Sequence, residues 1–551
     1  MEQLVFSWID YLLFSSLLGT SLLIGIYFGF FSKQDSVSEY LFGGKSMGYL
    51  PVATSILASL LSGITFLGVP TEVYLYGCQY FLTVFNTIAT GALTAYVFIP
   101  VFYNLQISST YEYLELRFSR ATRRFASVLY VISLSMHLPI VIYVPALAFS
   151  QATGYNLHLI TPLLCIVCIT YTSMGGVKAV VWTDTIQFIF TVGGLSTVLA
   201  VGVYSVGGFF NVWKISGQGG RLDIFDFNPS PFVRNNFWSM TIGTTFSSLS
   251  HSAVGQKFIQ RYLAIKSLAD INKAVLFKTV GTVIIDVMCT YAGLVIYTQY
   301  YNCDPISAKL ISRNDQIVPY YVMDITKNLP GIAGVFLAGI ISSALSTMSA
   351  GINTLSGIIY DDFIEQRMPE CPEKDARAAN IMKVISVFVG LISIALIFAI
   401  EHMGTVLEMS YSFRGAADGP LLGFFLLGMF FPCVGKKGAM TGACVGLSFM
   451  LWVVVGAKWH MLYNPKSPDT KLPMSTANCS VVANETIFEK TVLPTSKAYE
   501  EPMILFRISF LYFCLVGTVI TVAVGVAVSY IVGESNSTKV DPDHLTPIMR
   551  R

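Results

Sequence analysis

The chain has 551 residues, 54% of them hydrophobic and only 12% charged, with 34 Lys+Arg against 32 Asp+Glu for a formal charge of +2. Soluble domains carry roughly 25% charged residues, so a water-exposed surface of this size is excluded, and the apolar content excludes disorder over most of the length. No net basicity neutralises phosphates, so nucleic acid is excluded as a partner, and the lipid bilayer is the expected surrounding.

Apolar runs of about twenty residues predict an all-α, polytopic membrane protein with about thirteen transmembrane helices. They begin roughly at residues 8, 50, 81, 125, 157, 180, 236, 274, 331, 379, 404, 438 and 505. The first run lacks a basic leader and a small-residue cleavage site, so it reads as a span and not as a removed signal peptide. Arg117, Arg120, Arg123 and Arg124 cluster in one loop. Arg261, Lys266 and Lys273, then Arg367, Lys374 and Arg377, then Lys436 and Lys437 follow on the same side. Excess Lys and Arg mark cytoplasmic loops, which places the N-terminus outside and the C-terminus inside a multi-pass plasma-membrane protein. The segment from about Lys458 to Pro502 is then external, and it carries the glycosylation acceptors Asn478-Cys-Ser and Asn484-Glu-Thr. Cys165 and Cys168 lie inside an apolar run with no second pair to complete a zinc site, so they read as packing thiols. Cys303 and Cys479 fall in polar external loops, where pairing is allowed but not dictated.

Two spans are poor as lipid-facing helices. Val52 to Thr65 is rich in small residues and hydroxyls, and so is Thr241 to His251, continuing to Gln256. The two run in opposite directions in the two halves of the chain, the pattern expected of interrupted helices in an inverted-repeat transporter. A small-residue helix interface is the alternative. In Ala338 to Thr347, Ser343, Ser346 and Thr347 share one helix face. Hydroxyls and freed carbonyls suit a hard cation such as sodium, while back-bonding to their own helix is the structural alternative.

Charged residues at depth point to function. Asp184, with Gln187 one turn on, suits coupling of ion and solute movement, or a helix N-terminus. Asp286 has no neighbour of opposite charge in the sequence. Arg414 and Asp418 stand four apart and can pair, or Arg414 can offer its donor fork to a substrate carboxylate. Gly415, Gly419 and Pro420 beside them predict a broken helix. His137 and His251 read as hydrogen-bonded packing residues. No phosphate-cradling loop, nucleophile–base set or metal-ligand cluster occurs, so neither an enzyme nor an ATP-driven pump is expected, and no cofactor.

Phe98-Ile-Pro-Val-Phe-Tyr103, Ser108-Ser-Thr-Tyr-Glu-Tyr-Leu-Glu-Leu-Arg-Phe118, Gly175-Gly-Val-Lys-Ala-Val-Val-Trp-Thr-Asp184, Gln260-Arg-Tyr262 and Gly419-Pro-Leu-Leu-Gly423 resemble the solute:sodium symporter family over nearly the whole chain. Leu67-Gly-Val-Pro-Thr-Glu-Val-Tyr74 resembles its monocarboxylate, multivitamin and iodide branch. The resemblance implies a LeuT-like core of two inverted five-helix repeats. Residues 1–48 would be an extra helix and cytoplasmic loop, 49–432 the core, 433–532 two further helices with the long external loop, and 533–551 a cytoplasmic tail. It implies a sodium site formed by Ala58, Leu61, Ser343, Ser346 and Thr347, ion coupling through Asp184 and Gln187, and a substrate cavity at Ser59, Ser62, Thr65, Tyr143 and Gln256, to which the reading above adds Arg414. The iodide member has Gln where this chain has Thr65, which favours an organic acid over iodide. The resulting expectation is sodium-coupled import of small organic anions, monocarboxylates first. Vitamin-like carboxylates, other anions, or a sensor on the same scaffold are the alternatives; oligomeric state is left open.

Overall fold

In lipid, every backbone N–H and C=O must be satisfied within its own segment, so long apolar runs become helices. The computed structural model describes residues 6–31, 47–107, 109–369, 374–400, 406–463, 471–477, 479, 503–534 and 540–550. The acceptors Asn478 and Asn484 lie outside the described residues. In chain order the principal helices are α1 (Trp8–Phe31), α2 (Tyr49–Leu60), α3 (Gly63–Tyr76), α4 (Cys78–Leu105), α5 (Thr110–Arg117), α6 (Arg120–Thr153) and α7 (Leu157–Ser205). They continue as α8 (Phe209–Gln218), α9 (Thr244–Ser252), α10 (Gln256–Tyr262), α11 (Leu268–Gln299), α12 (Ile317–Thr326) and α13 (Ile332–Ile359). The last four are α14 (Lys374–Ile400), α15 (Val406–Phe430), α16 (Lys436–Tyr463) and α17 (Phe513–Ile531). Side-chain oxygens cap several starts, as Ser109 does for Tyr111 N, Asn156 for His158 N and Ser267 for Asp270 N.

Among the described residues, nine helices are long and apolar enough to cross a membrane, and α2 with α3, bent by 52°, makes a tenth span. The two spans expected from residues 157 and 180 form the continuous run α7. At 1.5 Å per residue it would be about 73 Å long if straight, more than twice a bilayer core. Gly176 breaks it with φ 55° and ψ −159°, a conformation that side chains with a Cβ rarely adopt.

Helix α13 forms the centre, buried along nearly its whole length and packed on α1, α2, α6 and α7. Its small residues permit close approach: a Cβ at Gly339 would lie 2.9 Å from Thr191 Cα. The expected break near Arg414 is corrected, because α15 runs unbroken from Val406 to Phe430 through Pro420. Its glycines serve packing. A Cβ at Gly419 would meet the Cys514 carbonyl oxygen at 2.7 Å, and Thr518 Oγ1 donates to the Gly419 carbonyl at 3.0 Å.

Cys165 and Cys168 are buried thiols within the helical core. Cys303 and Cys479 form a disulfide across 176 residues. Beside it, the 471–477 segment crosses the end of α3, with Leu472 N donating to Leu75 O at 3.0 Å and Asp304 N donating to Ser475 O at 2.8 Å. Closing so long a loop restricts the unfolded chain. Cys303→Ser is therefore expected to cost about 2–5 kcal/mol, read as a lower thermal unfolding midpoint in detergent. An unchanged midpoint would show that the bridge leaves stability untouched.

Candidate functional site

Two helix interruptions face each other across a central cavity. The first lies between α2 and α3. Leu61 turns to φ −83°, ψ 98° and Ser62 to φ −99°, ψ 171°, where Ser62 Oγ accepts from Ile64 N at 3.3 Å and starts the new helix. The carbonyls at this break meet the hydroxyl face of α13. Ser343 Oγ donates to Leu61 O, and Thr347 Oγ1 donates to both Ser59 O and Ser343 O at 3.1 Å. Ser346 Oγ lies 3.1 Å from Ser59 Oγ. Ala58, Leu61 and Ser343 line a small hollow together with Gln187 and Thr191 of α7. The five residues expected to hold sodium thus converge here. The site is rich in oxygen atoms, the ligands a hard cation prefers.

The second interruption lies between α9 and α10, at residues 253–255. A Cβ at Gly255 would collide with the His251 carbonyl, so the chain passes this point only as glycine. Helix α10 then carries Lys257 and Arg261 back toward the first break, each 3% exposed. Lys257 Nζ donates to Ser59 O at 3.0 Å. Arg261 Nη1 reaches Ser55 O at 2.8 Å, Ser55 Oγ at 2.7 Å and Ser59 Oγ at 2.8 Å, and lies 3.2 Å from Asp184 Oδ2. Asp184 Oδ2 also accepts from Ser55 Oγ at 2.7 Å. Counting Arg261 among the loop charges is therefore corrected: it is a buried partner of Asp184. Asp184 Oδ1 and Gln187 Oε1, both buried, receive no hydrogen bond among the described residues, which leaves acceptor oxygens beside the hydroxyl face.

On the far side of the break a second charged cluster joins α3, α15 and α16. Arg234 grips Glu72 in a fork, Nε to Oε1 at 2.8 Å and Nη2 to Oε2 at 3.2 Å. Its Nη1 lies 3.6 Å from Glu408, which Lys458 meets at 2.5 Å, and its guanidinium stacks 4.5 Å above the Tyr76 ring.

The cavity between these clusters measures about 190 Å³ and is lined by Ser59, Ser62, Thr65 and Thr347, as well as by Asn86 and Thr87 of α4. Arg414 and Asp418 also line it and form the expected i, i+4 pair, Nη2 to Oδ2 at 2.9 Å. Arg414 Nη2 further meets His251 Nδ1 at 2.5 Å, and Ser410 Oγ lies 3.4 Å from His137 Nδ1, so both histidines are hydrogen-bonded. Two residues expected in the cavity are not in its lining. Gln256 Oε1 accepts from Thr110 N at 2.7 Å, and Tyr143 OH contacts Arg313. Lys257, Ser55, Lys278 and the Glu72–Arg234 pair escaped sequence reasoning. The available signal for the lysines was a charge inside an otherwise small or apolar helix.

The sequence profile of the Sodium:solute symporter family matches residues 40–446. Sodium-coupled monocarboxylate transporter 2 of Mus musculus is 37% identical over 543 residues, covering 98% of this chain and 86% of that protein. The sodium-dependent multivitamin transporter of Oryctolagus cuniculus is 34% identical over 553 residues, with 99% and 85% covered. Among solved structures, the substrate-bound outward-open state of a Na+-coupled sialic acid symporter superposes with a TM-score of 0.76 at 22% identity, covering 95% of this chain and 98% of that one. The fold, the paired interruptions and these matches lead to one conclusion: the chain belongs to the sodium:solute symporter family.

Proposed function

We propose that the protein imports small organic anions, monocarboxylates first, by sodium-coupled symport with alternating access at the plasma membrane. The observation that carries this reading is the apposition of the Ser59 and Leu61 carbonyls with the hydroxyls of Ser343, Ser346 and Thr347. In this reading Ala58, Leu61, Ser343, Ser346 and Thr347 hold sodium, and the acceptor oxygens of Asp184 and Gln187 couple its passage to the gate. Ser59, Ser62 and Thr65 contribute to the solute cavity. The names of the monocarboxylate and multivitamin relatives support an organic acid. Drug-sized ligands occupy about 300–1,000 Å³, so a cavity of 190 Å³ favours acids of a few carbons over vitamins.

Thirteen spans are supported when α7 is divided at Gly176, α2–α3 counts as one span, and the broken α9–α10 and the continuous α15 each count as one more. The two broken helices then open the two halves of a core over 49–432, with 1–48 before it and the C-terminal helices and tail after it. The N-out, C-in orientation is supported by the disulfide on the face that carries the 471–477 segment, since disulfides persist in oxidising surroundings.

With one sodium ion per monoanion no net charge moves, and a tenfold sodium gradient alone supplies about 1.4 kcal/mol. With two, the net positive charge moving through about 100 mV adds roughly 2.3 kcal/mol, and the second ion's gradient about 1.4 kcal/mol more. Uptake should therefore run against a solute gradient. The test is uptake of lactate, pyruvate, butyrate, biotin, pantothenate and iodide in cells bathed in sodium or in choline. Short monocarboxylates should accumulate only in sodium. Equal uptake in choline would end the proposal.

A further inference from the structure

Two charges in the cavity belong neither to the sodium site nor to the flanking clusters. Lys278 and Asp286 lie on α11 with Thr282 between them, at i, i+4 and i+8, a spacing that brings all three onto one helix face. All three line the central cavity. Lys278 is 4% exposed and Asp286 8%, yet neither side chain makes an ion pair or a hydrogen bond among the described residues. They stand two turns apart, roughly 12 Å along the helix axis, too far to neutralise each other by contact.

The other cations at the cavity are already committed. Arg414 is held by Asp418 at 2.9 Å and by His251, Arg261 by Asp184 at 3.2 Å, and Lys257 by the Ser59 carbonyl at 3.0 Å. A carboxylate entering the cavity would have to displace Asp418 to gain the full donor fork of Arg414. At Lys278 it meets an ammonium that no carboxylate contacts among the described residues. A buried charge without a counterion is costly in a membrane, and a bound carboxylate offsets that cost.

We propose that Lys278 is the cation that binds the substrate carboxylate, and that Asp286 limits the cargo to a single negative charge. This rests on the symport reading above. Along the stripe the wall passes from positive through the Thr282 hydroxyl to negative. An acid with its carboxylate at Lys278 therefore extends its other end toward a fixed carboxylate. A neutral tail is tolerated there, and a second carboxylate is repelled. Asn86 and Thr87, on the helix packed against α11, line the same cavity and offer neutral hydrogen bonds to the body of the solute.

The test is sodium-dependent uptake of labelled butyrate and succinate by cells expressing the full chain, with voltage clamp and surface labelling in parallel. Lys278→Met should raise the half-saturating butyrate concentration at least tenfold, while the charge movement driven by sodium alone persists. Lys278→Arg should recover part of that loss. Asp286→Asn should lower the half-saturating butyrate concentration and admit succinate uptake. An unchanged butyrate half-saturation in Lys278→Met overturns the proposal. If that variant fails to reach the surface, Asp286→Asn decides, and unchanged butyrate affinity with succinate still excluded overturns it. A wild-type chain that shows no sodium-dependent uptake of any acid removes the symport reading itself, an outcome distinct from the other two.

Discussion

Arg261→Met is expected to abolish uptake and to strip most of the protein from the cell surface. Arg261 makes the ion pair with Asp184 and donates to three oxygens of Ser55 and Ser59, all inside a region closed to solvent. Removing one partner of a buried pair leaves the other charge without compensation, at a cost of about 3–5 kcal/mol. That is a large part of the roughly 5–15 kcal/mol by which proteins stay folded. The Lys257 bond to Ser59 O does not replace the lost partner, because it delivers its charge to a carbonyl and not to Asp184. The double variant Arg261→Met/Asp184→Leu should regain surface expression, since exchanging both charges for apolar groups removes the desolvation cost as well. It should not regain transport. The pair joins α10 to α7, and Arg261 also bonds Ser55 and Ser59 on α2; alternating access requires that joint to open and close. Surface biotinylation and sodium-dependent butyrate uptake would be measured on all three proteins. Full surface expression of Arg261→Met would show that the pair contributes little to the fold, and uptake by the double variant would show that it is not a gate.

The hydroxyl face of α13 was legible in the sequence because a rigid helix converts spacing into position: Ser343, Ser346 and Thr347 must lie together wherever that helix goes. The two interrupted helices were legible for a related reason, since runs of small and hydroxylated residues are poor lipid-facing surfaces. What spacing does not reveal is the partner across the gap. Arg261 and Asp184 are 77 positions apart in sequence and 3.2 Å apart in space, so a charge that resembles a cytoplasmic loop residue is in fact the buried lock on the first break. The same limit explains the errors at α15. Gly415, Gly419 and Pro420 are the residues of a broken helix, but α17 packs so closely on α15 that the glycines serve contact and the helix stays whole. Tyr143 and Gln256 were placed in the cavity by resemblance, yet their polar atoms face Arg313 and the start of α5. A local pattern identifies a face; only tertiary packing decides what that face meets.

Thr347→Val keeps the shape of the side chain and removes its hydroxyl, and it should raise the half-saturating sodium concentration by about tenfold or more. A tenfold change corresponds to about 1.4 kcal/mol, close to the roughly 1.5–3 kcal/mol associated with a hydrogen bond to a charged group. Thr347 Oγ1 bridges Ser59 O on the broken helix to Ser343 O on its own helix, so it stands where a cation between the two helices would be held. Thr347→Ser restores the oxygen and should restore sodium affinity, even though it loses a methyl group from the core. That ordering separates ligation from packing, because a purely structural role would rank Val above Ser. Linkage adds a second signature. If sodium raises solute affinity, the solute must raise sodium affinity by the same factor. The apparent loss of solute affinity in Thr347→Val should then disappear as sodium is raised to saturation. A deficit in solute affinity that persists at saturating sodium would place Thr347 against the solute and not the ion. Sodium affinity equal to that of the wild type would remove this hydroxyl from the sodium site.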